Sequence, residues 1–363
     1  MSGDFLSAER FGNGHINDTH RVRIVQSKID SQYALQRINS SVFPDPVAVS
    51  INIFRVTHHI CNRIKESPDE FLVRQAEFLP IETRDGQSFY LDPDGGCWRL
   101  FPLIEGARTF ETPKSSLIAK RAAAAFGYFH YLLHDLPEPR LKETIANFHD
   151  TPARFCQFHK VLGLDVQGRA NTCRPEIDIA LEFEESAGKL SELHQRGELP
   201  ERNVHNDAKL NNVLFDETSE QAVCIIDLDT VMPGLVLYDF ADLVRTATMT
   251  AEEDEKDLGN VAMDMALYES LVDGYLSTAG GFLTVAEVEN LALAGKIITI
   301  ETGLRFLTDY LAGDKYFRTH RPGQNLDRCR AQFALATSID EQLSPMQSFT
   351  AAAYARVIAK RSW

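Results

Sequence analysis

Between Val204 and Asp229 the chain carries polar residues at fixed intervals around two short apolar runs. The first stretch is Val204-His-Asn-Asp-Ala-Lys-Leu-Asn-Asn-Val213, and the second is Ile226-Asp-Leu-Asp229. Asn212 follows Asp207 by five positions, and Asp227 follows Asn212 by fifteen. The apolar runs Val213-Leu-Phe215 and Ala222-Val-Cys-Ile-Ile226 read as short strands. The alternative is an exposed turn with a few capping Asn and Asp residues. Such a turn explains no single spacing, whereas a loop and hairpin at a cleft explain all of them.

The flanking sequence suggests what builds that cleft. Val22 and Ile24 alternate with charged neighbours, and Tyr33-Ala-Leu-Gln-Arg-Ile38 is a second extended run. Ile53, Val56, Ile60 and Ile64 recur at helical spacing. Phe78–Thr83 and Ser88–Leu91 flank Asp85-Gly86, which predicts a hairpin, and Cys97–Phe101 predicts a strand ending at Pro102. Beyond Gly106 the texture turns helical: Ser115–His134, Pro175–Arg196 as one long helix, and most of the chain after about residue 258. The 363 residues suit about two domains. The expected fold class is α+β, with a small β-rich lobe over residues 1–103 and a large, mainly helical lobe over 104–363. Ligand sites favour such junctions.

Composition narrows the partners. There are 37 basic and 52 acidic residues, a net charge of −15. That sign argues against nucleic acid or an anionic membrane as the main partner. An anionic ligand would need a local device, such as Mg2+ or a glycine-rich turn. The six cysteines form no CxxC pair and read as reduced thiols. The start has no basic and apolar leader pattern, and no run approaches 18 apolar residues. These readings predict a cytoplasmic monomer that binds small molecules.

The residue types in the polar stretch suit one chemistry. His205-x-Asp207 with Asn212, followed after a hairpin by Asp227, has the spacing of the protein-kinase-like catalytic loop. Phosphoryl transfer needs positioning and charge neutralisation more than covalent help from the protein. Asp207 would take a hydrogen bond from the acceptor hydroxyl and aim it at the γ-phosphorus. Asn212 and Asp227 would offer oxygens to Mg2+, and Lys209 would lie near the transferring phosphate. His205 reads as a scaffold of the loop.

The runs VHNDAKLNNVLFD and CIIDLDTVMPGLVLYDFADLVRT resemble the aminoglycoside-phosphotransferase (choline-kinase-like) superfamily. Within it, FGNGHINDTHRV, YALQRIN, IEGARTF, NFHDTPARF and ETGLRFLTDYLAGDKYFR look like pieces of the N-acetylhexosamine 1-kinases. The resemblance implies a protein-kinase-like two-lobed fold, and an ATP- and Mg2+-dependent enzyme that phosphorylates the anomeric hydroxyl of GlcNAc or GalNAc. It implies Asp207 as catalytic base, and Asn212 and Asp227 as metal ligands. Asp229 would serve metal or substrate, and Asp239 and Asp242 would brace the loop.

Gly12, Asn13 and Gly14 would then cover the ATP phosphates from a turn between strands. Either Gln36 or Arg37 would occupy the position where a protein kinase carries lysine, and Phe101 and Leu103 would meet the adenine. Arg305 and Tyr316 resemble positions near the sugar, with His15 closing the pocket from the small lobe. The competing acceptors are choline, homoserine and an aminoglycoside. A binding module without catalysis is argued against by the intact Asp207, Asn212 and Asp227.

Overall fold

The computed structural model describes residues 3–12, 16–26, 29–66 and 71–361. The order of elements follows the expected two lobes. Strands β1 (Asp4–Arg10), β2 (Asp18–Gln26) and β3 (Ile29–Arg37) form an antiparallel meander. Helix α1 (Pro46–Glu66) buries Ile53, Val56 and Ile60, three of the four positions its periodicity marks, and half-buries the fourth, Ile64. Strands β4 (Tyr90–Leu91) and β5 (Cys97–Pro102) complete a five-stranded sheet in the order β1-β2-β3-β5-β4. The next strand, β6 (Ala107–Arg108), already pairs within the large lobe.

The large lobe is mainly helical. It contains α2 (Ser116–Leu133), α3 (Thr151–Leu164), α4 (Arg174–Ala187), α5 (Lys189–Gln195), α6 (Val236–Ala247), α7 (Met265–Ala279), α8 (Val285–Glu289), α9 (Leu291–Ala312), α10 (Gln324–Glu341) and α11 (Leu343–Arg361). Two small sheets stand at its edge beside the sheet lobe. One pairs β7 (Arg202–Val204) with β10 (Met232–Gly234), and the other orders β6, β8 (Val213–Asp216) and β9 (Ala222–Ile225). The two apolar runs of the motif are β8 and β9, an antiparallel pair. Among the described residues no helix is long and apolar enough to cross a membrane.

Two local expectations need correction. Residues 78–83 are not a strand; they pass along β5 with a single Ile81 N–H to Leu100 carbonyl bond, and Thr83 to Gln87 closes only a tight turn with Gly86 at φ +77°. The predicted hairpin is therefore just its turn, because β5 already offers the residues that β4 pairs with. The long helix over 175–196 is two helices broken at Gly188, where the chain needs a second axis to bury Leu190 and Leu193.

The core of the large lobe depends on α2 and α7 lying close together. The α2 face is built of Ala119, Ala122, Ala123 and Gly127, all small. A Cβ on Gly274 would lie 2.1 Å from the Lys120 carbonyl oxygen, and one on Gly127 would lie 2.4 Å from Thr278 Oγ1. Neither site has room for a methyl group. Gly274→Ala should cost about 2–3 kcal/mol of stability by forcing these backbones apart. Gly163→Ala, in α3 with open space around it, should instead be neutral or stabilising by up to about 1 kcal/mol. Urea unfolding of the two variants checks the contrast.

Candidate active site

The catalytic-loop motif is presented by backbone that is tied down from below. Asn206 adopts a left-handed conformation, φ +63°, which turns the chain sharply before Asp207. Asp239, fully buried on α6, accepts hydrogen bonds from the His205 N–H at 2.7 Å and the Asn206 N–H at 2.6 Å. Its Oδ2 also meets His130 Nε2 on α2 at 2.6 Å. His205 contacts the Ile226 carbonyl through Nε2 at 3.0 Å, and its ring lies edge-on to Phe126. Since a carbonyl can only accept, that nitrogen carries the proton. Thr230 donates to the His205 carbonyl at 2.7 Å, and Asn206 donates to the Thr230 carbonyl at 3.0 Å. The segment with Asp207 and the segment with Asp227 are thus laced together.

Four polar groups of the motif meet on this frame. Lys209 Nζ lies 3.0 Å from Asp207 Oδ1. Asn212 Nδ2 donates to the Asp207 carbonyl at 2.8 Å and approaches its Oδ2 at 3.3 Å, so the amide oxygen is the end left to face a cation. Asp227, itself left-handed at φ +60°, opens to solvent in the cleft. The protein around it, then the Asp229 and Asp207 carboxylates, push its carboxyl up to about 6. Burial works on Asp207 in the same direction, but Lys209 with Arg245 behind it holds that carboxyl below its ordinary value. Asp207 in turn, with Asp242 and Asp227, raises the Lys209 ammonium.

This donor set fits a hard cation that keeps much of its own hydration. Among the described residues no group of three His, Cys, Asp or Glu side chains forms a complete metal cage. Asp227 and the Asn212 oxygen supply two oxygen donors beside surplus negative charge, leaving further positions to water and phosphate, as Mg2+ prefers.

The sheet lobe covers the site with β2, β3 and β5. Gln36 pairs with Arg99 across β3 and β5, so both lie on the sheet face that bears Ala34 and Phe101. Arg37 lies on the opposite face, its guanidinium 5.9 Å from the Trp98 ring centroid. Strand alternation thus assigns the lysine position to Gln36 and removes Arg37 from the cleft. Arg99 Nη2 reaches Asp229 Oδ1 at 2.5 Å, both side chains being almost wholly buried, while Asn17 donates to Asp229 Oδ2 at 2.6 Å. Phe101 stacks on Phe78 at 4.7 Å between centroids. The Leu103 N–H is already given to the Gln32 carbonyl at 3.0 Å, leaving its carbonyl as the polar group for a ligand. Gly12, at φ +82°, opens the turn after β1; Asn13, Gly14 and His15 lie outside the described residues.

On the other side of the loop lies Arg305 of α9. Its guanidinium is 5.5 Å from the Phe148 ring centroid, 6.0 Å from Tyr316 and 5.6 Å from Phe317, with no ion-pair partner among the described residues. Tyr316 is 62% exposed and its loop is pinned by Asp309, which accepts the N–H groups of Lys315, Tyr316 and Phe317. One turn before Arg305, Glu301 meets His149 Nδ1 at 2.9 Å, and His149 Nε2 meets the Asn206 carbonyl at 2.9 Å. With a carboxylate on one nitrogen and a carbonyl on the other, both nitrogens donate and the ring is an imidazolium. Burial opposes this state, but Glu301 outweighs it and holds the imidazole above its ordinary value.

Sequence reasoning named the motif and Arg305 but passed over Arg99, His149 and Glu301. Arg99 could have been found by the alternation of Cys97–Phe101, which puts a guanidinium among the buried positions of a strand.

The profile of the phosphotransferase enzyme family matches residues 7–280. Among solved structures, the chain is similar to a microcompartment-associated aminopropanol kinase, with 16% identity, 94% of this chain and 93% of that chain covered, and a TM-score of 0.61. It is similar to a choline kinase from Cryptosporidium parvum Iowa II at 15% identity, 98% and 92% coverage and a TM-score of 0.57. A spectinomycin phosphotransferase in complex with ADP and spectinomycin gives 13%, 92%, 93% and 0.57 in the same order. At these identities the likeness is one of fold.

The raised Asp227 carboxyl has a consequence for stability. Its folded value of about 6 lies above the ordinary 3.8. The group therefore favours folding below that ordinary value, and this contribution is lost as pH rises through about 6. In EDTA, Asp227→Asn should raise Tm at pH 7.5, with the gain shrinking towards pH 4. Calorimetric melts of both proteins across that range check the sign.

Proposed function

The chain belongs to the phosphotransferase enzyme family, and we propose that it transfers the γ-phosphoryl group of ATP, with Mg2+, to the anomeric hydroxyl of GlcNAc or GalNAc. The observation that carries the acceptor class is Arg305. Its half-buried guanidinium stands in a box of three aromatic rings with no ion-pair partner among the described residues, one helical turn from the Glu301–His149 pair that supports the catalytic loop. Arg154 lies close enough that burial, then Arg305, hold its guanidinium below the ordinary value. A cationic acceptor such as choline or an aminoglycoside would meet these charges at like sign. A neutral ring with a carbonyl and several hydroxyls supplies what a guanidinium donates to, and Tyr316 supplies a wall for its apolar face.

The mechanism follows from the loop. Asp207, ionised through Lys209, accepts the hydrogen bond of the 1-OH and orients its oxygen towards the γ-phosphorus. The O–P bond to the sugar forms as the bond to the ADP oxygen breaks, and the hydroxyl proton passes to Asp207. A base held below its ordinary value suits a loose transition state, in which the proton leaves late and orientation matters most. Lys209 follows the negative charge on the transferring group. Asn212 and Asp227 would hold Mg2+, which neutralises phosphate charge when bound.

Asp207→Asn should lower kcat by at least about a thousandfold with MgATP affinity kept. The acceptor is read from ADP release against GlcNAc, GalNAc, the 1-O-methyl glycoside of GlcNAc, choline, homoserine and kanamycin. Turnover of the free N-acetyl sugars but not the glycoside is the expected result. Homoserine is the informative competitor, because its carboxylate would also suit Arg305. Turnover of choline or kanamycin alone would overturn the acceptor reading.

A further inference from the structure

The position where a phosphate-binding lysine is expected holds the neutral Gln36. A triphosphate beside three carboxylates, Asp207, Asp227 and Asp229, nevertheless needs positive charge from the sheet side. Lys209 belongs to Asp207 at 3.0 Å. Arg21 shares the sheet face but is paired with Glu9 of β1 through Nε at 2.8 Å, and Arg37 is on the wrong face. Arg99 remains.

Its surroundings are those of a held, incompletely satisfied cation. Nε donates to Gln36 Oε1 at 3.0 Å, and Nη2 meets Asp229 Oδ1 at 2.5 Å. Among the described residues the buried Nη1 has no hydrogen-bond partner, and neither has Asp229 Oδ1, so the Nη2 contact is an ion pair rather than a hydrogen bond. Arg99 itself is 4% exposed. A buried donor without an acceptor is costly and uncommon, and one on a charged group more so. The residues that hold Arg99 also reach the segment that follows the glycine turn. Gln36 Nε2 donates to Thr19 Oγ1 at 3.1 Å, and Asn17 shares Asp229 with Arg99. Arg99 is thus lodged between the residues that follow the turn and the segment that carries Asp227. A phosphate chain reaching from one to the other passes this point.

Resting on the MgATP reading above, we propose that Arg99 of β5 is the nucleotide-phosphate cation of this enzyme. It does from β5 what a lysine on β3 would do, with Nη1 as the donor kept for a phosphate oxygen. Asp229 and Gln36 fix the guanidinium plane in advance, so little side-chain entropy is lost when the nucleotide arrives. Asp229 is then the anchor of Arg99, its Oδ2 accepting from Asn17 and its Oδ1 in ion-pair contact with the guanidinium.

The test is nucleotide affinity of the full-length protein, measured by calorimetry for MgATP, MgADP and adenosine. Arg99→Met should weaken MgATP and MgADP by about ten- to a hundredfold, the loss of one charge-assisted contact, and leave adenosine unchanged. Arg99→Lys should fall between. The double variant Arg99→Met, Gln36→Lys should recover much of the MgATP affinity, since it returns a cation to β3. Unchanged MgATP affinity in Arg99→Met overturns the proposal. So does a loss shared equally by adenosine, which would make Arg99 a strut of the cleft. If the unaltered protein binds no MgATP, the nucleotide reading falls first and the role of Arg99 with it.

Discussion

A single buried carboxylate sets the geometry on which the site depends. Asp239 accepts the consecutive N–H groups of His205 and Asn206 and meets His130 behind them. Asn206 is not a glycine, and its left-handed turn is a conformation an L-residue rarely takes unless its surroundings enforce it. Two short hydrogen bonds to one buried carboxyl group are such an enforcement. The chain leaving that turn presents Asp207 to the cleft. His130 is in turn fixed by the Tyr275 hydroxyl of α7 at 2.8 Å. The close approach of α2 and α7, made possible by Gly127 and Gly274, therefore reaches the loop through one imidazole.

A second buried pair holds the loop from the side of α9. His149 and Glu301 bring opposite charges together and use the remaining imidazole nitrogen on the Asn206 carbonyl. Thr151 donates to the second Glu301 oxygen at 2.6 Å, so each carboxylate oxygen has a partner. Breaking such a pair would leave a buried charge, a larger cost than the pair's own net contribution. Its value here is positional. It links α3, α9 and the catalytic loop, and it fixes the helical turn from which Arg305 projects.

The parts of this site that were legible in the sequence are those encoded by short spacing. Asp207, Lys209 and Asn212 lie within one loop, and β8 and β9 return the chain to Asp227, so intervals alone bring them together. Asp239 lies one helix further on and could be read as a brace from its place beside the motif. What spacing does not encode is which strand faces meet. Arg99 and Asp229 are 130 positions apart, and only the register of β3 against β5 puts Gln36 and Arg99 side by side. His149 and Glu301 are likewise joined by packing of α9 against the segment before α3, for which local periodicity carries no signal. The helix broken at Gly188 was missed for a related reason: 175–196 is periodic throughout, and the break serves the burial of α5.

The charge distribution connects these elements. On the proposed reading, a protein with a net charge of −15 binds an anionic donor, and its cleft adds three carboxylates to the difficulty. A general positive surface would have eased binding but blurred the geometry, since exposed lysines are flexible and screened. The structure instead puts few cations at defined atoms, each tied to a carboxylate that holds it still: Lys209 on Asp207, Arg99 on Asp229. Each pair keeps its cation charged and aimed, while the cost of burying it is offset before any ligand arrives. Arg305 is the exception. Among the described residues it is held by aromatic faces rather than by an anion. On the proposed function, cations held by carboxylates line the phosphate path, and a cation held by rings faces the acceptor. That difference in support separates the two halves of the cleft more sharply than their residue types do.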